Sequence, residues 1–252
     1  ECAITLCGKD ATPVMTSVLN RRTALGLLGA GSAAFLAACA PLRSVKKGAE
    51  NPSESASESP AGTASASPTA QKKDYSGEAR LEKYDTSAGT YEPGTSEHPP
   101  RNMPKPIKPD NMNEKSEAGF YSNLAFYAAA LEYALRSGNT MYMDQVKLGQ
   151  KEKESFGEKF NELISYIAGG VIWYSNPKVV FDLKNSEPSK ANQYYLWPAE
   201  VKVSFGTHAY AINGKSKALS ASEQKNSMNA VFRGEYVDGV WKIDTLGSIQ
   251  SS

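Results

Sequence analysis

A change of composition near residue 103 most constrains where this chain can form a folded domain. Between residues 40 and 103 the sequence consists mainly of Ser, Ala, Pro, Gly, Glu and Lys, with hardly any large apolar residue. Such a segment cannot bury enough apolar surface to offset the entropy lost on ordering. We therefore predict a disordered tether over residues 39–103 and a folded domain over residues 104–252. A flexible chain of about 60 residues has a reach of roughly 40 to 45 Å.

An apolar run over residues 24–38 has the features of an export signal. It follows Arg21 and Arg22, and it is too short and too rich in Gly and Ala to span a membrane. Positive charge before a short apolar core is typical of a secretory signal peptide. The arginine pair leaves the twin-arginine route and the general export route both open. Met15 is the expected start, so residues 1–14 are interpreted as an upstream over-extension of the reading frame.

The end of the apolar run resembles the bacterial lipobox, in which small residues precede a cysteine that receives a diacylglyceryl group. The matching residues are Leu36, Ala37, Ala38 and Cys39. The resemblance implies a lipoprotein signal peptide over residues 15–38 and a lipid on Cys39. It also implies location at the outer face of the bacterial cytoplasmic membrane, in the cell envelope. The alternative is a buried helix that ends in an inert cysteine.

Composition argues against several classes of function. The 28 Lys and Arg residues nearly balance the 27 Asp and Glu residues, so no basic face for nucleic acid is expected. Cys2 and Cys7 lie upstream of the signal and Cys39 carries the lipid, which leaves the domain without a disulfide or a cysteine metal site. With His98 and His208 as the only histidines, we expect no metal and no cofactor.

Apolar periodicity predicts helices in the first half of the domain. Ser116 is typical of an N-cap, and apolar residues then recur at helical spacing. They are Phe120, Leu124, Tyr127, Leu131 and Leu135. Gly138 can end this helix in the left-handed conformation. A short helix is predicted over residues 141–147, and a third from about Lys151 to the glycines at 169–170. The apolar face of the third helix consists of Phe156, Phe160, Leu163, Ile164 and Ile167.

From Val171 onward the pattern predicts an antiparallel sheet. The β-branched and aromatic runs are residues 171–174, 179–183, 201–205, 231–237 and 240–243. Asp238 and Gly239 between the last two runs are typical of a two-residue hairpin. Helices first and an antiparallel sheet afterwards predict an α+β fold in which the helices cover one sheet face.

This order of elements resembles the nuclear-transport-factor-like cone fold, in which N-terminal helices pack on a curved antiparallel sheet. The first helix, over residues 117–140, is also similar to the opening motif of an uncharacterised actinobacterial lipoprotein family, a domain of unknown function. Members of that family have a lipobox and a Ser/Pro-rich tether. Glu132 stands where the family often has Asn, and Asn139 where it has Asp. The resemblance implies location and architecture but no chemistry.

Cone folds can enclose a pocket in which an acid and a Tyr or His transfer protons. The candidate pocket or surface residues are Tyr127, Tyr133, Asp182, Tyr195, Trp197 and His208. Asp182 has the opposite strand parity to Val179, Phe181 and Leu183, which favours a solvent-facing position. His208 is expected at the surface or at a strand end, and Tyr127 is expected to pack in the core.

Tyr195 and Trp197 have two interpretations. They either form an exposed aromatic platform for a glycan, peptide or partner protein, or, being two residues apart, they point inward together. The second interpretation is favoured.

These patterns predict a lipid-anchored extracytoplasmic protein whose domain binds a ligand or partner without catalysis. One alternative is a pocket enzyme of the isomerase or hydratase type, which requires an acid buried beside a Tyr or His. The other is a structural assembly subunit of the cell envelope. The expected partners are the membrane, through the lipid on Cys39, and an unidentified protein or small molecule.

Overall fold

The computed structural model describes residues 73–247. The predictions for the signal peptide, for residues 1–14, for lipid attachment at Cys39 and for the tether over residues 40–72 lie outside these residues. Within the described part, no helix combines the length and apolar character needed to cross a bilayer.

Helix α1 (Glu117–Ser137) begins and ends where local sequence predicts. The Ser116 hydroxyl accepts a hydrogen bond from the backbone N–H of Gly119 at 3.0 Å, which satisfies one of the free N–H groups of the first turn. At the other end Gly138 adopts φ 72°, the left-handed conformation that favours glycine. The predicted N-cap and C-terminal glycine are confirmed.

Helix α2 (Gln150–Ala168) follows a short 3-10 turn (Met143–Gln145), which replaces the short helix predicted there. The face predicted to be apolar is confirmed, because Phe160, Leu163, Ile164 and Ile167 are buried. A continuous helix was expected, but Gly157 interrupts it with φ 42° and ψ −175°. The first turns of α2 are therefore set at an angle to the rest.

The remaining elements are short strands at the start and a larger set of strands after α2. They are β1 (Gly77–Glu78), β2 (Tyr84–Asp85), β3 (Lys105–Pro106), a 3-10 turn (Asp110–Asn113), β4 (Ile172–Tyr174), β5 (Lys178–Leu183), β6 (Ser189–Ala191), β7 (Tyr194–Ser204), β8 (His208–Ala211), β9 (Ser216–Ala218), the short helix α3 (Ala221–Gln224), β10 (Lys225–Val237) and β11 (Val240–Leu246).

The main sheet has the order β1-β5-β7-β10-β11, with β6 also paired to β7, and a smaller sheet has the order β4-β8-β9. All pairings between these strands are antiparallel. Asp238 and Gly239 join β10 to β11 with φ values of 52° and 79°. Two consecutive positive φ values characterise the type I′ hairpin turn, so the predicted hairpin is confirmed. The described part is a mixed α+β fold with mostly antiparallel sheets.

The folded unit begins near Asp74 and not at residue 104. Strand β1 pairs with the edge of β5, Ala79 is buried, and the ring of Tyr75 lies 4.7 Å from that of Tyr121. The prediction of a disordered tether is therefore wrong for residues 74–103. A few aromatic side chains and hydrogen bonds to an otherwise open sheet edge are enough to order this segment. Its average composition does not show these contacts.

The core lies between α1 and the inner face of the main sheet. The ring of Phe120 on α1 stacks on Trp241 at 5.1 Å, and Tyr127 packs edge-on against Phe181 at 5.2 Å. The largest fully buried aromatic side chains are Trp197, Trp241, Tyr127, Phe120, Phe126, Phe181 and Phe232. Bulky rings therefore fill the layer between α1 and the sheet.

Candidate functional site

The structure places Asp182 on the solvent face of the main sheet, as its parity predicts. Its Oδ2 atom lies 2.7 Å from Lys202 Nζ and 3.1 Å from Lys184 Nζ. Hydrogen bonds from Lys202 and then Lys184 hold the pKa of the Asp182 carboxyl below its usual value. An ionised, ion-paired carboxylate on the outer face is not the buried acid that a pocket enzyme requires.

Tyr195 and Trp197 point inward, which confirms the favoured interpretation. Trp197 is fully buried and its Nε1–H donates to the carbonyl oxygen of Asn185 at 3.0 Å. The Tyr195 ring packs edge-on against Trp241 at 4.9 Å. The exposed aromatic platform is therefore absent from β7.

The other candidate residues lie apart from one another. His208 begins β8, as expected for a strand-end residue, and its ring stacks on Tyr210 at 5.8 Å. Tyr133 is half-buried and packs edge-on against Tyr142 at 4.9 Å. Tyr127 lies in the core as expected, but its hydroxyl has a partner that the sequence analysis missed.

That partner is Glu152, in the first turn of α2. The Tyr127 hydroxyl donates to Glu152 Oε1 at 2.6 Å, and the backbone N–H of Thr245 donates to Glu152 Oε2 at 2.9 Å. Both Tyr127 and Glu152 are only 1% exposed. The carboxylate thus joins α1, α2 and β11 at a single buried point.

The backbone positions Glu152 at this point. The N–H of Gly149 donates to the carbonyl of Ile243 at 2.7 Å, and the N–H of Ile243 donates to the carbonyl of Lys147 at 2.9 Å. These bonds attach the start of α2 to the edge of β11. Glu152 has charged neighbours in the sequence, yet it stands one helical turn, four residues, before Phe156. Helical spacing therefore places it on the apolar face.

Burial dominates the electrostatics of this acid–tyrosine pair. Loss of hydration raises the pKa of the Glu152 carboxyl, although hydrogen bonds from Tyr127 and Thr245 oppose the shift, and the nearby charge of Asp244 adds to it. Burial, followed by the charge of Glu152, raises the pKa of Tyr127 well above its usual value. The tyrosine therefore keeps its proton and the carboxyl is easier to protonate than an exposed glutamate.

An ion pair lies beside the acid–tyrosine pair. Arg233 Nη2 is 2.6 Å from Asp244 Oδ2, and the guanidinium lies 4.9 Å from the centre of the Tyr194 ring. Arg233 Nε, Asp244 Oδ1 and Thr245 Oγ1 are buried without a hydrogen-bond partner among the described residues. Such atoms are the usual binding points of internal water.

A cleft lies between α2 and the smaller sheet. Its lining includes Leu163 and Tyr166 from α2, Ile172 and Ala209 from the sheet, and Leu219. Its volume is about 40 Å³, whereas sites for drug-sized ligands usually measure roughly 300 to 1,000 Å³. One water needs roughly 10 to 15 Å³ on this scale, so the cleft has room for a single aliphatic side chain.

Three large apolar side chains are exposed on or next to the elements that form the cleft, and one of them, Tyr166, lines it. Tyr166, Val171 and Ile212 are 42%, 42% and 70% exposed, and we call these three residues the apolar rim. The N–H of Val171 donates to the carbonyl of Tyr166 at 2.9 Å, and the N–H of Ile212 donates to the carbonyl of Val171 at 3.0 Å. Backbone hydrogen bonds therefore join the three residues of the apolar rim in series.

Polar groups border the same cleft. Lys217 Nζ lies 2.6 Å from Glu223 Oε1, and this hydrogen bond is the largest of the effects that lower the pKa of Glu223 to about 2. On the opposite wall the Tyr166 hydroxyl donates to Glu162 Oε1 at 3.0 Å. The charge of Glu223 is thus balanced by Lys217, whereas the partner of Glu162 is an uncharged hydroxyl that leaves its negative charge unbalanced.

Comparison with known proteins identifies a family but no activity. A family model described as a family of unknown function (DUF6318) matches residues 89–247. The matched region contains the acid–tyrosine pair and the cleft, and it starts within the segment predicted to be tether. No curated protein and no solved structure matches the chain.

Proposed function

Because the chain belongs to the DUF6318 family, whose function is unknown, we propose its function from the surface that the fold presents. We propose a lipid-anchored extracytoplasmic protein whose domain binds a partner protein at the cleft and its apolar rim, without catalysis. One observation carries this proposal: of the six large apolar side chains exposed in the described part, three belong to residues joined in series by backbone hydrogen bonds, and one of the three, Tyr166, lines the cleft.

The size and surroundings of the cleft favour a protein partner. A single anchoring side chain in a small pocket, surrounded by exposed apolar surface, is typical of protein interfaces. A small-molecule substrate needs a larger enclosed volume.

We also propose that the domain is of the cone type. The mixed α+β fold, in which α1 packs on the inner face of a mostly antiparallel sheet, supports this proposal.

The apolar rim gives a direct test of partner binding. We expect Ile212→Ser and Tyr166→Ala to reduce the amount of partner recovered from detergent-solubilised membranes roughly tenfold or more, because each removes exposed contact area. Ile107→Ser is the matched control, since Ile107 is 42% exposed and is not part of the apolar rim. Recovery that is equal for all three variants and the wild type would rule out the proposed surface.

The anchor gives an independent test. We expect Cys39→Ala to abolish incorporation of labelled fatty acid and to move the protein from the membrane fraction to the soluble fraction, because the acylated sulfur is removed. Ser44→Ala, five residues after Cys39, serves as the control and should keep both the label and the membrane location. Labelling that persists in Cys39→Ala would refute the anchor.

The enzyme alternative has one observation in its favour, namely the buried Glu152 beside Tyr127. A carboxyl and a tyrosine hydroxyl in contact can hold and pass a proton. A substrate would nevertheless have to reach two side chains that are each 1% exposed, among closely packed rings. We therefore assign the pair a structural role in the proposed function.

A further inference from the structure

We propose that the partner presents an aliphatic side chain next to a lysine or arginine, the aliphatic group entering the cleft and the cation meeting the carboxylate of Glu162. This inference rests on the proposed function, in which the cleft binds a partner, and adds the chemistry that the partner must have.

The apolar half of this partner follows from the lining of the cleft. Ile172, Ala209 and Leu219 present aliphatic surface. The space of about 40 Å³ would hold about three waters, on the scale where one water needs roughly 10 to 15 Å³. A branched aliphatic side chain fits such a space, and its burial removes apolar surface from water on both partners. A charged or amide side chain would lose its hydration among these aliphatic groups, and Lys217 and Glu223 at the border of the cleft are already paired with each other.

The basic residue of the partner is inferred from acidic side chains on α2, which forms one wall of the cleft. Glu158 and Glu162 are exposed and stand four residues apart after the kink at Gly157, so they are neighbours on one helix face. Among the described residues neither forms a salt bridge, although Lys159 stands three residues before Glu162. Two neighbouring like charges destabilise a helix slightly, and a cation from a partner would relieve that repulsion.

The position of Glu162 links the two halves. Its carboxylate is held by the hydroxyl of Tyr166 at 3.0 Å, and Tyr166 belongs to the apolar rim. Glu162 and Tyr166 both line the cleft. A cation bound at Glu162 would therefore lie at the edge of the cleft, next to an aliphatic side chain bound inside it. The opposite wall adds no net charge, because Lys217 neutralises Glu223.

Selection of short random peptides displayed on phage against the purified full chain tests this inference. We expect the selected peptides to share an aliphatic residue followed within two positions by Lys or Arg. Selection against the double variant Glu158→Gln/Glu162→Gln should keep the aliphatic residue and lose the basic one. Glu154→Gln, an exposed change in the same helix before the kink, is the matched control and should select the same peptides as the wild type.

A selected peptide then gives the magnitude. We expect the double variant to bind it about fivefold more weakly than the wild type at low salt, because two exposed charge interactions are lost. The difference should shrink at high salt, where exposed charges are screened.

The outcomes separate this inference from the function on which it rests. Peptides that lose binding in Ile212→Ser and Tyr166→Ala but show no basic enrichment would support the binding surface and overturn the charge preference. Selection of no peptide, or of peptides insensitive to those two variants, would overturn both.

Discussion

Replacing Glu152 by Ala is expected to lower the free energy of unfolding by about 3 kcal/mol at neutral pH, whereas Glu152→Gln should preserve or raise it. Ala leaves the hydroxyl of Tyr127 and the N–H of Thr245 buried without acceptors, at a cost of roughly 1 to 3 kcal/mol each. It also leaves a cavity. Relief from burying a charge offsets part of this loss.

The Gln side chain separates hydrogen bonding from charge at the same position. Its oxygen can accept from the N–H of Thr245, and its amide can donate to the hydroxyl oxygen of Tyr127, so each buried partner keeps one hydrogen bond, that of Tyr127 with its direction reversed. Only the buried negative charge is lost. Urea unfolding of the wild type and both variants at neutral pH measures the difference. Equal losses in Ala and Gln would show that the charge itself stabilises the fold.

The pH dependence of this effect has a definite sign. The folded-state pKa of Glu152 is raised above the ordinary value of 4.5. Its favourable contribution is therefore fully present below about pH 4.5 and is lost as the pH rises through the raised value. As the pH rises from about 4.5 through the raised pKa, the wild type should lose stability relative to Glu152→Gln. The exposed control Glu154→Gln should follow the wild type. If Glu152→Gln also followed the wild type across this range, the assignment would be contradicted.

The second large effect is expected at the contact between the ends of the two long helices. Gly138 has φ 72°, and a Cβ there would overlap the backbone of Ala168 at the end of α2. Gly138→Ala therefore adds left-handed strain of roughly 1 to 2 kcal/mol to a displacement of packed backbone, which costs roughly 1 to 3 kcal/mol. We expect a total loss of about 3 to 4 kcal/mol in the free energy of unfolding.

Gly170 provides a matched control for this prediction. It has φ 64°, and a Cβ there would meet nothing within 4 Å. Gly170→Ala carries the same conformational strain without the overlap, so we expect it to cost only about 1 to 2 kcal/mol. Thermal unfolding of the two variants isolates the contribution of the helix–helix contact. Equal losses would mean that Gly138 is required for its φ angle alone.

Elements whose cause is local were predictable from the sequence. The Ser116 cap and the glycine at 138 bound α1, and the Asp238–Gly239 turn sets the hairpin register over a few residues. Alternation along a single strand placed Asp182 on the solvent face and turned Trp197 inward. Each of these predictions depends on neighbours in the sequence or on one face of one element.

The predictions that were wrong or incomplete depend on partners that are distant in the chain. Residues 74–103 are ordered because they meet the edge of β5 and the ring of Tyr121, neither of which their own composition reveals. The cleft combines α2 with β4, β8 and the residues before α3. No spacing within one segment identifies such a surface.

Glu152 shows how far the sequence alone can predict the surroundings of one residue. The sequence by itself determined only that this residue stands one helical turn before Phe156, because helical periodicity is a property of consecutive residues. Only the tertiary structure decided that the residue is covered at that point, by Tyr127 from α1 and by the backbone of Thr245 from β11. Burial of a charged group depends on what packs against it, and packing is a property of the assembled fold. The change of composition along the sequence predicted that the C-terminal region is folded. Contacts between segments that are distant in the chain set the start of the folded region near Asp74 and form the cleft.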